Sequence, residues 1–267
     1  MLRMALALAL STCMAMPLAA ASVDDMPIKS SVMGEGETII FIHGWTCDES
    51  SWDEQIAHFA QDYRVVTLDL PGHGISGQPV LEDFSLELFA EAVEAVRAEV
   101  GADKVVLVGH SMGGPVIRQY ALDFPEHVAG LVAVDGPLDM RGLPAAPLTD
   151  FTPAAREQMI QLFFVPETST QVRDQVLGMM LSASETTAEG AMTAMFAPDV
   201  DRESVVAAPA LAVLAGNSFM SDDPAAREVA PDLEVTVMPG TGHFLMMEKP
   251  AEFNALLDTF LTERAEF

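Results

Sequence analysis

The sequence predicts an α/β fold in which helices cover both faces of a mostly parallel, doubly wound sheet. Short apolar runs, typical of buried strands, alternate along the chain with segments of helical period. A serine flanked by glycines lies where one of these runs passes into a helix, and reactive side chains follow several other runs. With 267 residues, of which 50% are hydrophobic, the chain is long enough for one such domain with an insertion.

The N-terminal residues 1–21 have the form of a secretory signal peptide. An apolar stretch, Met4 to Leu10, is followed by three small residues at 19–21 that supply a cleavage site before Ser22. The stretch is too short to favour a membrane span. We therefore expect a secreted or periplasmic protein, with a lipoprotein anchored at Cys13 as the alternative.

Charge and composition exclude several classes of partner. A formal net charge of −27 repels nucleic acid and anionic membrane surfaces. No group of His, Asp, Glu and Cys has metal-ligand spacing, and no dinucleotide-binding glycine fingerprint is present, so neither a metal nor a cofactor is expected. Removal of the leader would leave Cys47 without a disulfide partner. The oligomeric state stays open.

The individual elements can be assigned from apolar runs and capping residues. Predicted strands lie at 38–42, 64–70, 104–108, 131–134, 210–215 and 233–238, and predicted helices at 52–59, 85–100, 115–122 and 251–261. Ser85 and Gly101 are typical of the start and end of a helix. His73 lies in a glycine-rich loop that we expect at the surface. Between 138 and 205 the alternation pauses, and three or so helical segments predict a cap inserted into a core of 22–137 and 206–267.

The segment Gly109-His110-Ser111-Met112-Gly113 has the pattern of a nucleophile elbow, a sharp turn from strand to helix. Its glycines permit a turn that a Cβ would obstruct. The serine is then held on strained backbone at the positive end of a helix. A serine hydroxyl needs a base to take its proton and donors to stabilise an oxyanion.

Four motifs together resemble the α/β-hydrolase-fold superfamily, in particular its serine esterase or lipase-like members with a helical cap. They are His43-Gly44-Trp45, the run 69–74, the elbow run 109–114, and Gly242-His243-Phe244 followed by Glu248-Lys249-Pro250. The resemblance covers nearly all of residues 30–265. It implies that Ser111 is the nucleophile, that His243 is the proton carrier, and that the backbone N–H groups of Met112 and Trp45 form the oxyanion hole.

The acid of the triad departs from the commoner family pattern. Many members carry it three residues after the glycine that ends the seventh strand, but that position here is Phe219, which cannot ionise. Some relatives place it after the sixth strand, where this chain has Asp135. We favour Asp135, with Asp222 (or its neighbour Asp223) as the alternative.

The resemblance implies a serine hydrolase that cleaves small carboxylic esters through an acyl-enzyme, and the leader implies that it is secreted. Methionine-rich segments of the predicted cap favour apolar groups on the substrate. A lactonase or a carbon–carbon bond hydrolase on the same fold is the alternative, although the acid of the latter normally follows the seventh strand. A non-catalytic ligand-binding receptor is a third hypothesis. Serine at the elbow excludes the relatives that use an aspartate nucleophile there.

Overall fold

A central sheet organises the chain in the computed structural model, which describes residues 21–138, 149–197, 201–218 and 226–267. The strands of the described residues are β1 (Ser22–Val23), β2 (Met26–Pro27), β3 (Ser30–Met33), β4 (Thr38–Ile42), β5 (Arg64–Leu68), β6 (Val105–His110), β7 (Val128–Val134), β8 (Ala210–Ala215) and β9 (Leu233–Met238). Seven of them form one sheet in the order β3-β5-β4-β6-β7-β8-β9. All of its neighbouring pairs are parallel except β3 with β5.

Helices connect most of these strands. In the described residues they are α1 (Asp53–Phe59), α2 (Leu86–Val100), α3 (Gly113–Asp123), α4 (Pro153–Gln161), α5 (Thr170–Ser182), α6 (Glu185–Phe196), α7 (Ala226–Val229), α8 (Leu245–Glu248) and α9 (Pro250–Glu263). Helix α2 packs against α3, and α1 packs against α9. None of the described helices is long and apolar enough to cross a bilayer.

The core of the sheet is built from continuous apolar runs. Every residue of β4, β6, β7 and β8 is buried, as expected of parallel strands covered on both faces. In the edge strand β9, by contrast, only the two end residues, Leu233 and Met238, are buried. The apolar runs thus predicted the central strands, and β4, β8 and β9 have the predicted limits.

Helix α2 begins and ends at the predicted capping residues. The Ser85 hydroxyl accepts a hydrogen bond from the Leu88 N–H at 3.0 Å. Gly101 adopts a left-handed conformation with φ of 66° at the other end.

Several details differ from the sequence-based expectations. Among them are the limits of two central strands: β6 ends two residues later than predicted, and β7 begins three residues earlier. The hairpin of β1 and β2 and the antiparallel edge strand β3 were not predicted, since these strands are short and β3 is partly exposed. The strand that begins at Arg64 ends at Leu68, two residues early. The prediction that His73 lies at the surface is wrong: its side chain is fully buried and its ring centroid lies 4.9 Å from that of His43.

In the described residues between β7 and β8, where the helical insertion was predicted, three helices are present, α4 to α6. Helix α6 contacts the loop after β5, where the Thr187 hydroxyl donates to the carbonyl of Gly72 at 2.7 Å. A Cβ at Gly190 would lie 2.2 Å from the ring of Phe84, which lies between β5 and α2. Helix α6 therefore packs closely against the segment that joins β5 to α2. These contacts join the helical segment to the loop that contains His73.

Candidate active site

The turn after β6 has the strained geometry of a nucleophile elbow. Ser111 adopts φ of 52°, a left-handed conformation that a residue with a Cβ rarely takes. A Cβ at Gly109 would lie 2.2 Å from the carbonyl oxygen of Gly113, and one at Gly113 would lie 2.6 Å from that of Ile42. Both glycines of the motif are therefore required by close backbone contacts.

The ends of three strands converge on Ser111. Its N–H donates to the carbonyl of Val134, the last residue of β7, at 2.9 Å. A Cβ at Gly136 would lie 2.4 Å from the Ser111 carbonyl oxygen, and one at Gly44 would lie 3.2 Å from the Ser111 Cβ. The residues that follow β4, β6 and β7 thus meet at one edge of the sheet, as predicted for a parallel sheet.

His243 and Asp135 form a buried pair beside this turn. The Nδ1 atom of His243 lies 2.6 Å from Oδ2 of Asp135, whose side chain is 2% exposed. The other carboxylate oxygen accepts a hydrogen bond from the Ala215 N–H at 2.9 Å. Burial alone would raise the pKa of Asp135, but the hydrogen bond and charge of His243, with the Ala215 N–H and the Ser218 hydroxyl, lower it below its ordinary value. Asp135 is therefore ionised at neutral pH.

This pairing defines the chemical state of the imidazole. An ionised carboxylate only accepts hydrogen bonds, so Nδ1 of His243 carries a hydrogen and Nε2 of the neutral ring carries a lone pair. Such a ring can accept a proton at Nε2. Within the described residues the Ser111 hydroxyl makes no hydrogen bond to His243 in this conformation; in unliganded enzymes this contact often shortens only when substrate binds.

His110 anchors the backbone of His243. Its Nε2–H donates to the His243 carbonyl at 2.9 Å, and the two ring centroids are 4.7 Å apart. Burial, followed by the charge of His243, lowers the pKa of His110 from 6.5 to about 3. His110 is therefore neutral. Its Nδ1 carries a lone pair rather than a hydrogen, and it is buried without a hydrogen-bond partner among the described residues.

His43 fixes the loop that precedes Trp45. Its Nε2 accepts from the Leu70 N–H at 3.0 Å, so its hydrogen lies on Nδ1, which donates to the Gly44 carbonyl at 2.8 Å. Burial lowers the pKa of His43, which keeps the ring neutral. Because the Gly44 carbonyl and the Trp45 N–H belong to one planar peptide, the direction of this N–H is set by the same contact.

The two predicted oxyanion donors have free backbone N–H groups. Among the described residues, neither the Trp45 N–H nor the Met112 N–H donates a hydrogen bond to a protein acceptor. Met112 is buried at the start of α3, where the N–H groups of the first turn lack partners inside the helix. The indole of Trp45 donates instead to the Ala188 carbonyl of α6 at 2.8 Å.

Two further residues singled out in the sequence, and the possibility of a metal ion, remain to be placed. Asp222, the alternative acid, lies outside the described residues. Cys47 is buried, and burial raises the pKa of its thiol, so it is an inert side chain. The described residues contain no group of three or more His, Cys, Asp or Glu able to hold a metal ion.

Sequence reasoning missed two residues that contact the His243 loop. The ring of Phe163, in the segment between α4 and α5, lies on the imidazole with centroids 4.5 Å apart. The Glu248 carboxylate accepts from the N–H of Gly242 at 2.7 Å. Glu248 belongs to a motif quoted above, although its contact with Gly242 was not predicted. Phe163 lies 80 positions before His243, and no local pattern indicates that the two are in contact.

The fold agrees with a family model. Residues 39–256 match the model described as the alpha/beta hydrolase family. The chain belongs to this family.

Similar proteins carry different names. A protein of Cupriavidus necator, the dihydrolipoyllysine-residue acetyltransferase component of an acetoin cleaving system, is 31% identical over 256 residues, covering 90% of this chain and 68% of that protein. A solved structure titled Est816, an N-acyl homoserine lactone degrading enzyme, is 28% identical with a TM-score of 0.78, covering 91% of this chain and 100% of that one. A thermophilic esterase from Thermogutta terrifontis has a TM-score of 0.76 at 21% identity, with 89% and 94% covered, which shows the fold alone.

Proposed function

We propose that this protein is a serine hydrolase that cleaves carboxylic esters with apolar groups through an acyl-enzyme. One observation carries the proposal: the His243 imidazole contacts the Asp135 carboxylate at 2.6 Å, next to a serine with φ of 52° at a strand-to-helix turn. This is the combination of base, orienting acid and strained serine that acyl transfer requires. Membership of the hydrolase family supports it.

The first half-reaction forms the acyl-enzyme. The Ser111 oxygen attacks the ester carbonyl carbon while its proton passes to Nε2 of His243. The carbonyl oxygen becomes an oxyanion that accepts from the free N–H groups of Trp45 and Met112. Collapse of this intermediate breaks the bond to the alcohol oxygen, which takes the proton from the imidazolium. Asp135 stabilises that imidazolium and holds the ring at Nδ1.

The second half-reaction restores the serine. Water attacks the acyl carbon as His243 takes its proton, and the acid leaves while Ser111 regains a hydrogen from the imidazolium. Every proton transfer uses one nitrogen, Nε2, so the Nδ1 contact with Asp135 persists throughout. No step requires a metal or a redox cofactor.

The preference for apolar substrates rests on the segment between β7 and β8. We propose that this segment, residues 138–205, is a cap on the hydrolase core. Several of its apolar side chains are packed inside, including Met179, Met180 and Met192. Others are partly exposed and are able to contact a ligand: Met159, Leu177, Leu181, Met195 and Phe196. Flexible methionine side chains adapt to apolar groups of different shape.

A lactonase is the second candidate. It is supported by the similarity to Est816, which is titled an N-acyl homoserine lactone degrading enzyme. A lactone is a cyclic ester, and the same residues would open it with the alcohol and acid left in one molecule.

We also propose export, with removal of an N-terminal leader after Ala20 rather than after Ala21. Ala21 is 6% exposed, and its carbonyl accepts from the Ile28 N–H at 2.9 Å. Its own N–H donates to the Glu99 carboxylate at 3.1 Å. A new α-ammonium at Ala21 would keep this contact and add charge to it, whereas a chain starting at Ser22 would lose both contacts. The intact mass of the exported protein distinguishes these ends and a lipid at Cys13.

Activity of the mature chain tests the function. Nitrophenyl esters of increasing acyl length and N-acyl lactones of matched length are compared by kcat/KM, with Ser111→Ala as the control. The ester proposal expects a preference for short to medium apolar acyl groups. Equal rates at all lengths, or activity confined to charged esters, would contradict the apolar pocket, and a clear preference for lactones would favour the second candidate.

A further inference from the structure

The segment between α4 and α5 contacts His243 through one residue at two points. The Phe163 carbonyl accepts a hydrogen bond from the His243 N–H at 2.9 Å. The Phe163 ring lies on the imidazole, with centroids 4.5 Å apart and planes inclined by 35°. Phe163 therefore constrains both the backbone and the side chain of the histidine.

Glu248 joins the same segment to the histidine loop. One carboxylate oxygen accepts from the Gly242 N–H at 2.7 Å, and the other accepts from the Thr168 hydroxyl at 3.0 Å. The Thr168 oxygen in turn accepts from the Val165 N–H at 3.0 Å. Both oxygens of Glu248 are thus used, one for the loop before His243 and one for the segment that carries Phe163.

Gly242 shows how closely these parts approach one another. A Cβ at this position would lie 2.4 Å from the Phe163 carbonyl oxygen and 2.8 Å from a Glu248 carboxylate oxygen. The first atom is backbone, so it has little freedom to move aside. The histidine loop, the segment 163–168 and Glu248 therefore form one packed unit.

We propose that Phe163 and Glu248 are positioning residues that hold His243 at the angle needed for proton exchange with Ser111, a role that rests on the proposed function. The bond from Nδ1 to Asp135 fixes one edge of the ring but leaves it free to tilt about that contact. The Phe163 ring blocks tilting on one face, and the Glu248 bridge fixes the backbone from which the imidazole projects. A misplacement of about 1 Å at a reacting group costs on the order of a hundredfold in rate.

Three substitutions test the unit. Phe163→Leu keeps an apolar side chain but removes the aromatic face, Glu248→Gln removes the charge, and Thr168→Val removes the bridging hydroxyl. Each should lower kcat about tenfold or more and leave KM within about twofold, because Ser111 and the oxyanion donors are untouched. Phe163→Tyr, which keeps the ring face, should stay within about threefold of the wild type.

Matched controls separate positioning from general damage. Leu162→Ala changes the exposed neighbour of Phe163, which is 64% exposed, and Glu252→Gln changes an exposed carboxylate on α9. Both should leave kcat unchanged. Because Thr168→Val and Glu248→Gln break one bridge, the double variant should lose less activity than the product of the two single losses.

A second measurement distinguishes positioning from a merely structural role. The proton shared by Nδ1 of His243 and Asp135 gives a downfield proton NMR signal, which should broaden or shift in Phe163→Leu and Glu248→Gln but not in the controls. Variants that lose thermal stability yet keep kcat and this signal would overturn the proposal. So would a rise in KM at constant kcat, which would make Phe163 a binding residue.

The outcomes also separate this inference from the proposed function. If the wild type hydrolyses esters and the three variants do so equally well, the positioning role is wrong and the function stands. If the wild type neither turns over esters or lactones nor reacts at Ser111 with a fluorophosphonate, both proposals are wrong.

Discussion

His243 and Asp135 meet at 2.6 Å although they are 108 positions apart in the chain and follow different strands. The carboxylate is held from another side by the Ala215 N–H of β8, at 2.9 Å. The Asp135 carboxylate therefore has a hydrogen bond that does not involve the histidine, and this bond fixes the orientation of the carboxylate. This relationship leads to the first prediction.

Asp135→Asn should lower kcat for a simple nitrophenyl ester by about 10²–10⁴-fold, since an amide neither fixes the Nδ1–H tautomer nor stabilises the imidazolium. Asp222→Asn is the matched control and should stay within about twofold. Initial rates at saturating ester measure both. If Asp135→Asn keeps a rate within twofold of the wild type while Asp222→Asn loses activity, the acid is Asp222.

The approach of Gly44 to Ser111 gives a second prediction. In Gly44→Ala, the new Cβ would lie 2.9 Å from His110 Nδ1 and 3.2 Å from the Ser111 Cβ. The substitution should shift the loop that carries the Trp45 N–H and lower kcat by at least about tenfold, since loss of one oxyanion donor costs ~10²–10³.

Gly178→Ala is the control for this substitution, because a Cβ there meets no atom within 4 Å. It lies inside α5, where alanine should stabilise the protein by about 0.5–1 kcal/mol. Paired measurements of kcat and thermal unfolding compare the two. Full activity of Gly44→Ala would argue against an oxyanion hole at this loop.

Three buried neutral histidines make stability sensitive to acid. Burial, followed by the charge of His43, lowers the pKa of His73 from 6.5 to about 3. Burial likewise lowers the pKa of His110 to about 3 and that of His43 below its ordinary value. Below pH 6.5 the unfolded chain binds protons that the folded protein does not bind. The stability is therefore complete above pH 6.5 and is lost as the pH falls toward 3.

Urea unfolding between pH 7.5 and 5 measures this effect, in about 0.5 M salt to screen the surface charge. Each ring contributes up to about 1.4 kcal/mol per pH unit. The free energy of unfolding should begin to fall near pH 6.5, well above the range in which ordinary carboxylates titrate. A constant value from pH 7 to 5.5 would show that these rings do not differ between the folded and unfolded states.

The indole of Trp45 has a structural contact separate from its backbone N–H. Trp45→Phe removes the hydrogen bond to the Ala188 carbonyl. The free energy of unfolding should fall by about 1–3 kcal/mol, while kcat stays within about threefold because the oxyanion donor is backbone. Trp52→Phe is a size-matched comparison, since the Trp52 indole N–H is buried and has no hydrogen-bond partner in the part of the chain that the structure describes. A large loss of kcat at unchanged stability would place the Trp45 indole in the chemistry.

Much of the fold could be predicted because its signals are local. The apolar runs predict the central strands. The glycines two positions before and after Ser111 predict its strained turn. The residues that meet Ser111 at the ends of other strands are predicted by the parallel sheet alone. The short edge strand β3 could not be predicted, since its residues are partly exposed and gain their structure by pairing with β5.

Contacts between distant segments could not be predicted. His73 is buried against rings from other segments: its ring centroid lies 4.9 Å from that of His43 and 6.0 Å from that of Phe89. The pattern of a glycine-rich loop carries no information about these contacts. The packing of Phe163 on His243 likewise depends on tertiary contacts rather than on local sequence.

Covalent labelling tests most directly whether the Ser111 hydroxyl is activated by the His243 imidazole. A fluorophosphonate should add one group per chain, which peptide mass spectrometry should locate at Ser111. Labelling should be absent in Ser111→Ala and at least about a hundredfold slower in His243→Gln. A label on another residue, or ester turnover by Ser111→Ala at the wild-type rate, would contradict this assignment.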